Sequence, residues 1–183
     1  VGYSTNFSGS WKIEPKLKPE HRAYLDQFST SRRMMRDPKV TERSPDPLRL
    51  AVGLPVGVDG GYFVGPEGDN GQGSMWNFDR TPEDRGGIID SNGPPTGQPG
   101  LWCKWEPNGD GTAIVWSGAE KFYDYVEWAQ YLLDHFLTPW GYKLSGRVNW
   151  QGEDGSDTGY MVIYNGKVFV NEEPVLERLA DAL

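Results

Sequence analysis

The fold is decided by residues 101–117, Leu101-Trp-Cys-Lys-Trp-Glu-Pro-Asn-Gly-Asp-Gly-Thr-Ala-Ile-Val-Trp-Ser117. Two Trp-bearing runs flank Asn108-Gly-Asp-Gly111, a composition that turns a chain sharply, so residues 101–106 and 112–117 are expected as an antiparallel hairpin. Ser117 and Glu120 then have the S-x-x-E spacing of a capping box. Behind them Phe122, Tyr125, Val126, Ala129, Leu132, Leu133 and Phe136 recur at i, i+3, i+4. That spacing predicts a helix over residues 119–137, stopped by Pro139 and Gly141. Phe122, Val126, Ala129, Leu133 and Phe136 are expected to point inward.

Downstream, residues 142–151 alternate, with Leu144, Gly146, Val148 and Trp150 on one face. A polar loop over 152–159 leads to a strand at 160–164. Asn165-Gly166 is the favoured two-residue type I′ turn and pairs that strand with residues 167–171. Pro174 opens an expected terminal helix over 175–183. Upstream, residues 3–13 read as a strand or a strand pair, with Phe7, Gly9, Trp11 and Ile13 on one face. Pro15 and Pro19 end it, and Pro19 suits the first position of a helix running to about Ser31, with Ala23, Tyr24, Gln27 and Phe28 as its stripe. Arg32, Arg33, Met34, Met35 and Arg36 follow, where positive charge suits a helix C-terminus; contact with an anion or acidic partner is the alternative. Phe7-Ser-Gly-Ser-Trp11 and Leu144-Ser-Gly-Arg-Val148 echo each other, too briefly to count as a repeat.

Residues 37–100 show no sustained period and are dense in Gly and Pro. Long aperiodic runs inside a domain that are ordered usually carry function. Short apolar pieces at 48–56, 62–64, 75–78 and 88–89 are expected to pin this segment to the core, with a short helix near 46–51. It closes on Asn92-Gly-Pro-Pro-Thr-Gly-Gln-Pro-Gly100, a stiff passage that sets how the chain enters the next strand. Together these elements predict an α+β fold, a single domain over 1–183. Its antiparallel sheet has about five strands, helices on one face, and a long ordered Gly/Pro-rich loop.

A net charge of −8 disfavours direct nucleic-acid binding, which needs a basic footprint. The lone Cys103 excludes an intramolecular disulfide and a cysteine-based zinc cluster. No apolar run approaches the length of a membrane span and no leader pattern opens the sequence, so a cytoplasmic protein is expected (the host cytoplasm if phage-encoded). Neither phosphate-binding glycine motif occurs, nor H-E-x-x-H, nor G-x-S-x-G. No cofactor or metal is therefore expected, although Glu153, Asp154 and Asp157 are oxygen donors of the type Ca²⁺ prefers, in a spacing that is not an EF-hand.

The candidates that remain are scattered. Glu120, Glu153 and Asp154 are the carboxylates available for proton transfer. Arg33, Asn92, Gln98, Trp102, Lys121, Trp150 and Glu153 are the candidate contacts, since aromatic faces with amides suit peptide or sugar. Glu120 and Lys121 at a helix N-terminus would also offer free N–H groups to an anion. His135 has no neighbour in a triad pattern.

Arg32-Arg-Met34, the passage from Asn92 to Cys103, Glu120-Lys-Phe-Tyr123, Glu127-Trp128 with Tyr131-Leu132, and Trp150-Gln-Gly-Glu-Asp154 cover nearly the whole chain. In combination they resemble a family of small proteins of no assigned function found in bacterial and bacteriophage genomes. The resemblance implies a phage or mobile-element context and transfers no chemistry. The expected function is a non-enzymatic binding protein with a protein partner, acting on a host component or within a particle. The alternative is a small enzyme or carrier for a glycan or nucleotide-sugar-like ligand.

Overall fold

A ten-residue strand with Trp11 and Ile13 on one face and Ser8, Ser10 and Lys12 on the other needs one dry and one wet side, and the sheet supplies both. The computed structural model describes residues 2–65 and 87–174. The chain forms two compact units, Val1–Leu17 with Lys104–Leu183, and Lys18–Cys103.

In the first unit, β1 (Thr5–Glu14), β4 (Trp105–Pro107), β5 (Ala113–Trp116), β6 (Lys143–Gly152), β7 (Thr158–Tyr164) and β8 (Lys167–Val170) form one antiparallel sheet. Its order is β4-β5-β1-β6-β7-β8, six strands against the expected five. Both expected hairpins form. Asn165 and Gly166 take positive φ of 51° and 76°, as a type I′ turn requires. The β4–β5 hairpin pairs Trp105 with Trp116, but β4 begins only at Trp105, so the expected strand from residue 101 is corrected.

The two echoing segments lie opposite one another. Ser10 pairs with Arg147, Trp11 with Gly146, and Gly9 with Val148, so the echo is a local two-fold in the β1–β6 ladder. Gly9 and Gly146 have φ of 94° and 124°. A Cβ on Gly146 would lie 2.8 Å from the Ser10 carbonyl oxygen, and one on Gly9 2.5 Å from that of Arg147. Only glycine fits either place.

The helix α4 (Tyr125–Leu132) continues as a π-helical turn, Leu133–Leu137, and covers the apolar face. Ala129, Leu132 and Leu137 meet Trp11, Ile114, Leu144 and Ile163 there. The expected capping box does not form, and the helix starts at Tyr125 instead of residue 119. Gly118, Lys121 and Asp124 all take positive φ, which no helix accommodates. The Lys104 ammonium grips the carbonyls of Glu120 and Lys121, and Phe122 leaves the helical stripe to sit buried against Phe7 and Trp105. Val126 is half-buried, while Ala129, Leu133 and Phe136 are buried as expected. Leu133→Ala should therefore cost about 2–5 kcal/mol in a urea titration. A loss below about 1 kcal/mol would place that side chain outside the core.

The second unit holds α1 (Pro19–Thr30), β2 (Met35–Arg36), α2 (Pro38–Thr41), α3 (Pro47–Ala51), a 3₁₀ turn at Val58–Gly60 and β3 (Ile88–Asp90). Proline occupies the first turn of all three helices, and Asp37 and Asp46 cap α2 and α3 through the N–H groups of Lys39 and Arg49. The short helix expected near 46–51 is α3. Arg32–Arg36 is not a basic patch on the last turn of α1. That turn carries no basic residue, and Arg33 and Arg36 are buried. Two of the expected anchors, Tyr62 and Val64, receive the Tyr24 hydroxyl (2.8 Å) and the Ser31 hydroxyl (3.5 Å) on their carbonyls. The anchor at 75–78 and the terminal helix at 175–183 lie outside the described residues.

Candidate functional site

The sequence candidates divide between the two units. In the second, Arg33 is an organising residue. Its guanidinium donates from Nη2 to Gly61 O (2.8 Å), from Nη1 to Phe63 O (3.0 Å) and from Nε to Gln98 Oε1 (3.1 Å). It also lies 4.3 Å above the Phe28 ring. Gln98 donates to Gly61 O as well. The two candidates meet, but they are buried, at 2% and 7% exposure, and hold loops together. The planar fork of arginine suits this task because it satisfies several carbonyls at fixed angles. Nearby Arg36 stacks on Phe63, and burial, with help from Arg33 and against Asp46, depresses its pKa to about 9. Arg49 and Asp46 pair at 3.3 Å, and Asp46 also accepts from Val64 N.

Asn92 is exposed, with Oδ1 accepting from Arg32 Nη2 at 3.2 Å. Trp102 is half-buried. The stiff passage from Asn92 to Gly100 does not feed a strand. It runs beside residues 33–35, where Arg33 N donates to Leu101 O and Met35 N to Gly93 O.

In the first unit, Trp150, Glu153 and Asp154 gather at one corner with Tyr3, Ser4, Tyr123, Ser156 and Asp157, which the sequence did not single out as contacts. The Trp150 indole N–H donates to Asp157 Oδ1 (3.1 Å), and Tyr3 Oη donates to Asp157 Oδ2 (2.9 Å). Asp154 N donates to Tyr3 Oη (3.1 Å), so the tyrosine relays between the two aspartates. Glu153 Oε1 accepts from Ser4 N (2.6 Å), and Asp154 Oδ1 accepts from the Ser156 N–H (2.9 Å) and hydroxyl (2.8 Å). Those two Ser156 donors hold the Asp154 carboxyl below the usual carboxylate range. Tyr3 N donates to Tyr123 Oη (3.0 Å), joining the corner to the 117–124 loop.

An aromatic chain ties this corner to the core. Trp150 contacts Tyr125 at 5.7 Å, Tyr125 contacts Phe7 at 5.0 Å, and Phe7 contacts Trp105 at 5.0 Å. Trp105 meets buried Trp11 at 4.7 Å and donates to Tyr125 O. Burial, then Asp157 and Glu127, raises the Tyr125 phenol above its ordinary range. Glu120 and Lys121 are exposed residues of the 117–124 loop and do not stand at a helix N-terminus, so the expected anion site there is corrected. His135 stacks on Tyr131 at 4.0 Å, and burial lowers its pKa against the opposing charge of Asp134. Among the described residues, no group of three or more His, Cys, Asp and Glu is placed to hold a metal ion. No helix of the described residues is long and apolar enough to cross a membrane.

The corner residues were legible only in part. Asp157 stands near Glu153 and Asp154 in the sequence, but Tyr3 lies more than a hundred residues away and carries no local signal. What the arrangement can do is present fixed oxygen acceptors beside an aromatic surface. No protein-family model matches the chain, and no curated protein or solved structure matches it.

Proposed function

We infer that the chain is a non-enzymatic binding protein of phage or mobile-element type. It acts on a host component in the host cytoplasm or forms part of a particle. Its protein partner meets the corner built by Tyr3, Trp150, Glu153, Asp154 and Asp157. The observation that carries this reading is how the carboxylates are held. Glu153 and Asp154 are exposed, yet their oxygens are fixed by donors of their own chain, and Asp154 is held ionised. As a general acid Asp154 would need the opposite, a carboxyl raised toward the working pH. A contact surface gains from such fixing, because ordering completed before binding is not charged against affinity. Fixed acceptors beside tyrosine and tryptophan fit a partner surface rich in Lys, Arg or amide donors.

Support for the alternative, an enzyme or carrier for a glycan or nucleotide-sugar-like ligand, is weaker. It needs Glu120 with Glu153 or Asp154 on the walls of one pocket at a helix N-terminus. The helix starts four residues past Lys121, at Tyr125, and the cavity of about 450 Å³ in the first unit is lined by none of the three carboxylates.

The test is retention from a bacterial lysate on immobilised protein. The wild type should retain a discrete protein, and the double variant Glu153→Lys, Asp154→Lys should retain less than about a tenth as much. Equal retention by both, or a co-purifying metabolite with no protein retained, would remove the reading.

A further inference from the structure

The ladder between β6 and β1 runs to the end of the strand, as far as Lys143 opposite Glu14. The ladder between β6 and β7 stops earlier, at Gly146 opposite Ile163. Beyond the positive-φ kink at Gly146, residues Lys143–Ser145 diverge from Tyr164, Asn165 and Gly166. A cavity of about 450 Å³ opens between the diverging segments, in the size range of small-molecule sites. Its inner wall is apolar, with Leu133 and Leu144 buried beneath it. Leu133 begins the π-helical turn, closed by the i→i+5 bond from Thr138 N to Leu133 O, and Tyr142 N donates to Leu137 O just beyond it. Single π turns of this kind occur frequently at functional sites.

The rim is polar and rich in hydrogen-bond donors. Lys143, Ser145, Thr138, Tyr164 and Asn165 line it, and none of their side chains hydrogen-bonds within the protein among the described residues. All five present donors. The one carboxylate on the rim, Glu14, is engaged by Lys12 at 2.8 Å. We propose that this cleft is a binding site for a small amphipathic anion, a carboxylate on a compact apolar or aromatic body. The body would lie on Leu133 and Leu144, and the carboxylate would reach the Lys143 ammonium and the hydroxyls of Ser145 and Tyr164. In a chain of net charge −8, short-range contacts to Lys143 and the rim hydroxyls, and not the field of the whole molecule, would hold the anion. The site is separate from the partner-binding corner and does not depend on it.

The test uses phenylacetate and its neutral isostere phenylacetamide, titrated into the ¹⁵N-labelled full chain. Phenylacetate should shift the amides of Gly141, Leu144 and Gly166 saturably, and phenylacetamide should bind more weakly. Lys143→Glu should weaken phenylacetate by at least about fivefold and leave phenylacetamide within about twofold. Lys143→Gln gives the same ordering with a smaller loss and serves should the charge reversal disturb the fold. Absence of saturable shifts at those amides, shifts confined to other sites, or equal weakening of both probes would overturn the proposal.

Discussion

Replacing Gly146 by alanine is expected to destabilise the protein by at least about 3 kcal/mol, and Gly9→Ala by a similar amount. Two effects add. The backbone of Gly146 has a φ of 124°, which side-chain-bearing residues rarely adopt, and its new methyl would lie 2.8 Å from a backbone carbonyl of β1. That carbonyl belongs to the ladder between the two longest strands and has little freedom to retreat. Chemical denaturation followed by tryptophan fluorescence measures the loss. The contrasting control is Gly155→Ala, where an added Cβ meets nothing within 4 Å and the cost should stay within about 0.5 kcal/mol. Similar stabilities for the two variants would mean that β1 and β6 do not approach as closely as described.

Arg33→Met is expected to cost about 3–5 kcal/mol, although it replaces a charged side chain by an apolar one of similar length. The carbonyls of Gly61 and Phe63 and the amide oxygen of Gln98 would each lose a donor in a buried setting. Arg33→Lys should recover only part of this, because a single ammonium cannot reach three acceptors at guanidinium angles. Arg32→Met, on a half-buried neighbour, should cost less than about 1 kcal/mol. Equal tolerance at both positions would return Arg33 to the surface-contact role that composition suggests.

Period and turn chemistry made most of the sheet legible. Phe7, Trp11 and Ile13, then Leu144 and Val148, mark the faces of β1 and β6, and Asn165-Gly166 fixes the β7–β8 hairpin. The start of α4 was misread because a good local signal lost to tertiary contacts. Ser117 and Glu120 have the right spacing, but Lys104 holds the loop carbonyls and Phe122 is drawn into an aromatic cluster with Phe7 and Trp105. The placement of Arg33 was equally hidden. Charge alone reads as surface, and nothing near residue 33 announces that Gly61 and Phe63 will offer their carbonyls.

The candidate site shows the same division. Trp150, Glu153 and Asp154 were visible as a polar, aromatic stretch. Tyr3 and Tyr123 join them only after the sheet brings the N-terminal strand beside β6 and the 117–124 loop alongside it. The cleft beside Gly146 left a trace in the sequence, the paired Ser-Gly steps. Its meaning depended on knowing that those steps cross.

Proximity labelling at the tip of the acidic corner tests the partner-binding claim most directly. A photo-crosslinking phenylalanine analogue at Gly155, where the surroundings are open, should trap a discrete protein from a bacterial lysate. The same analogue at Leu50, 65% exposed on α3, should not. A product at Leu50 equal to or stronger than that at Gly155, or no product at either, would contradict the account.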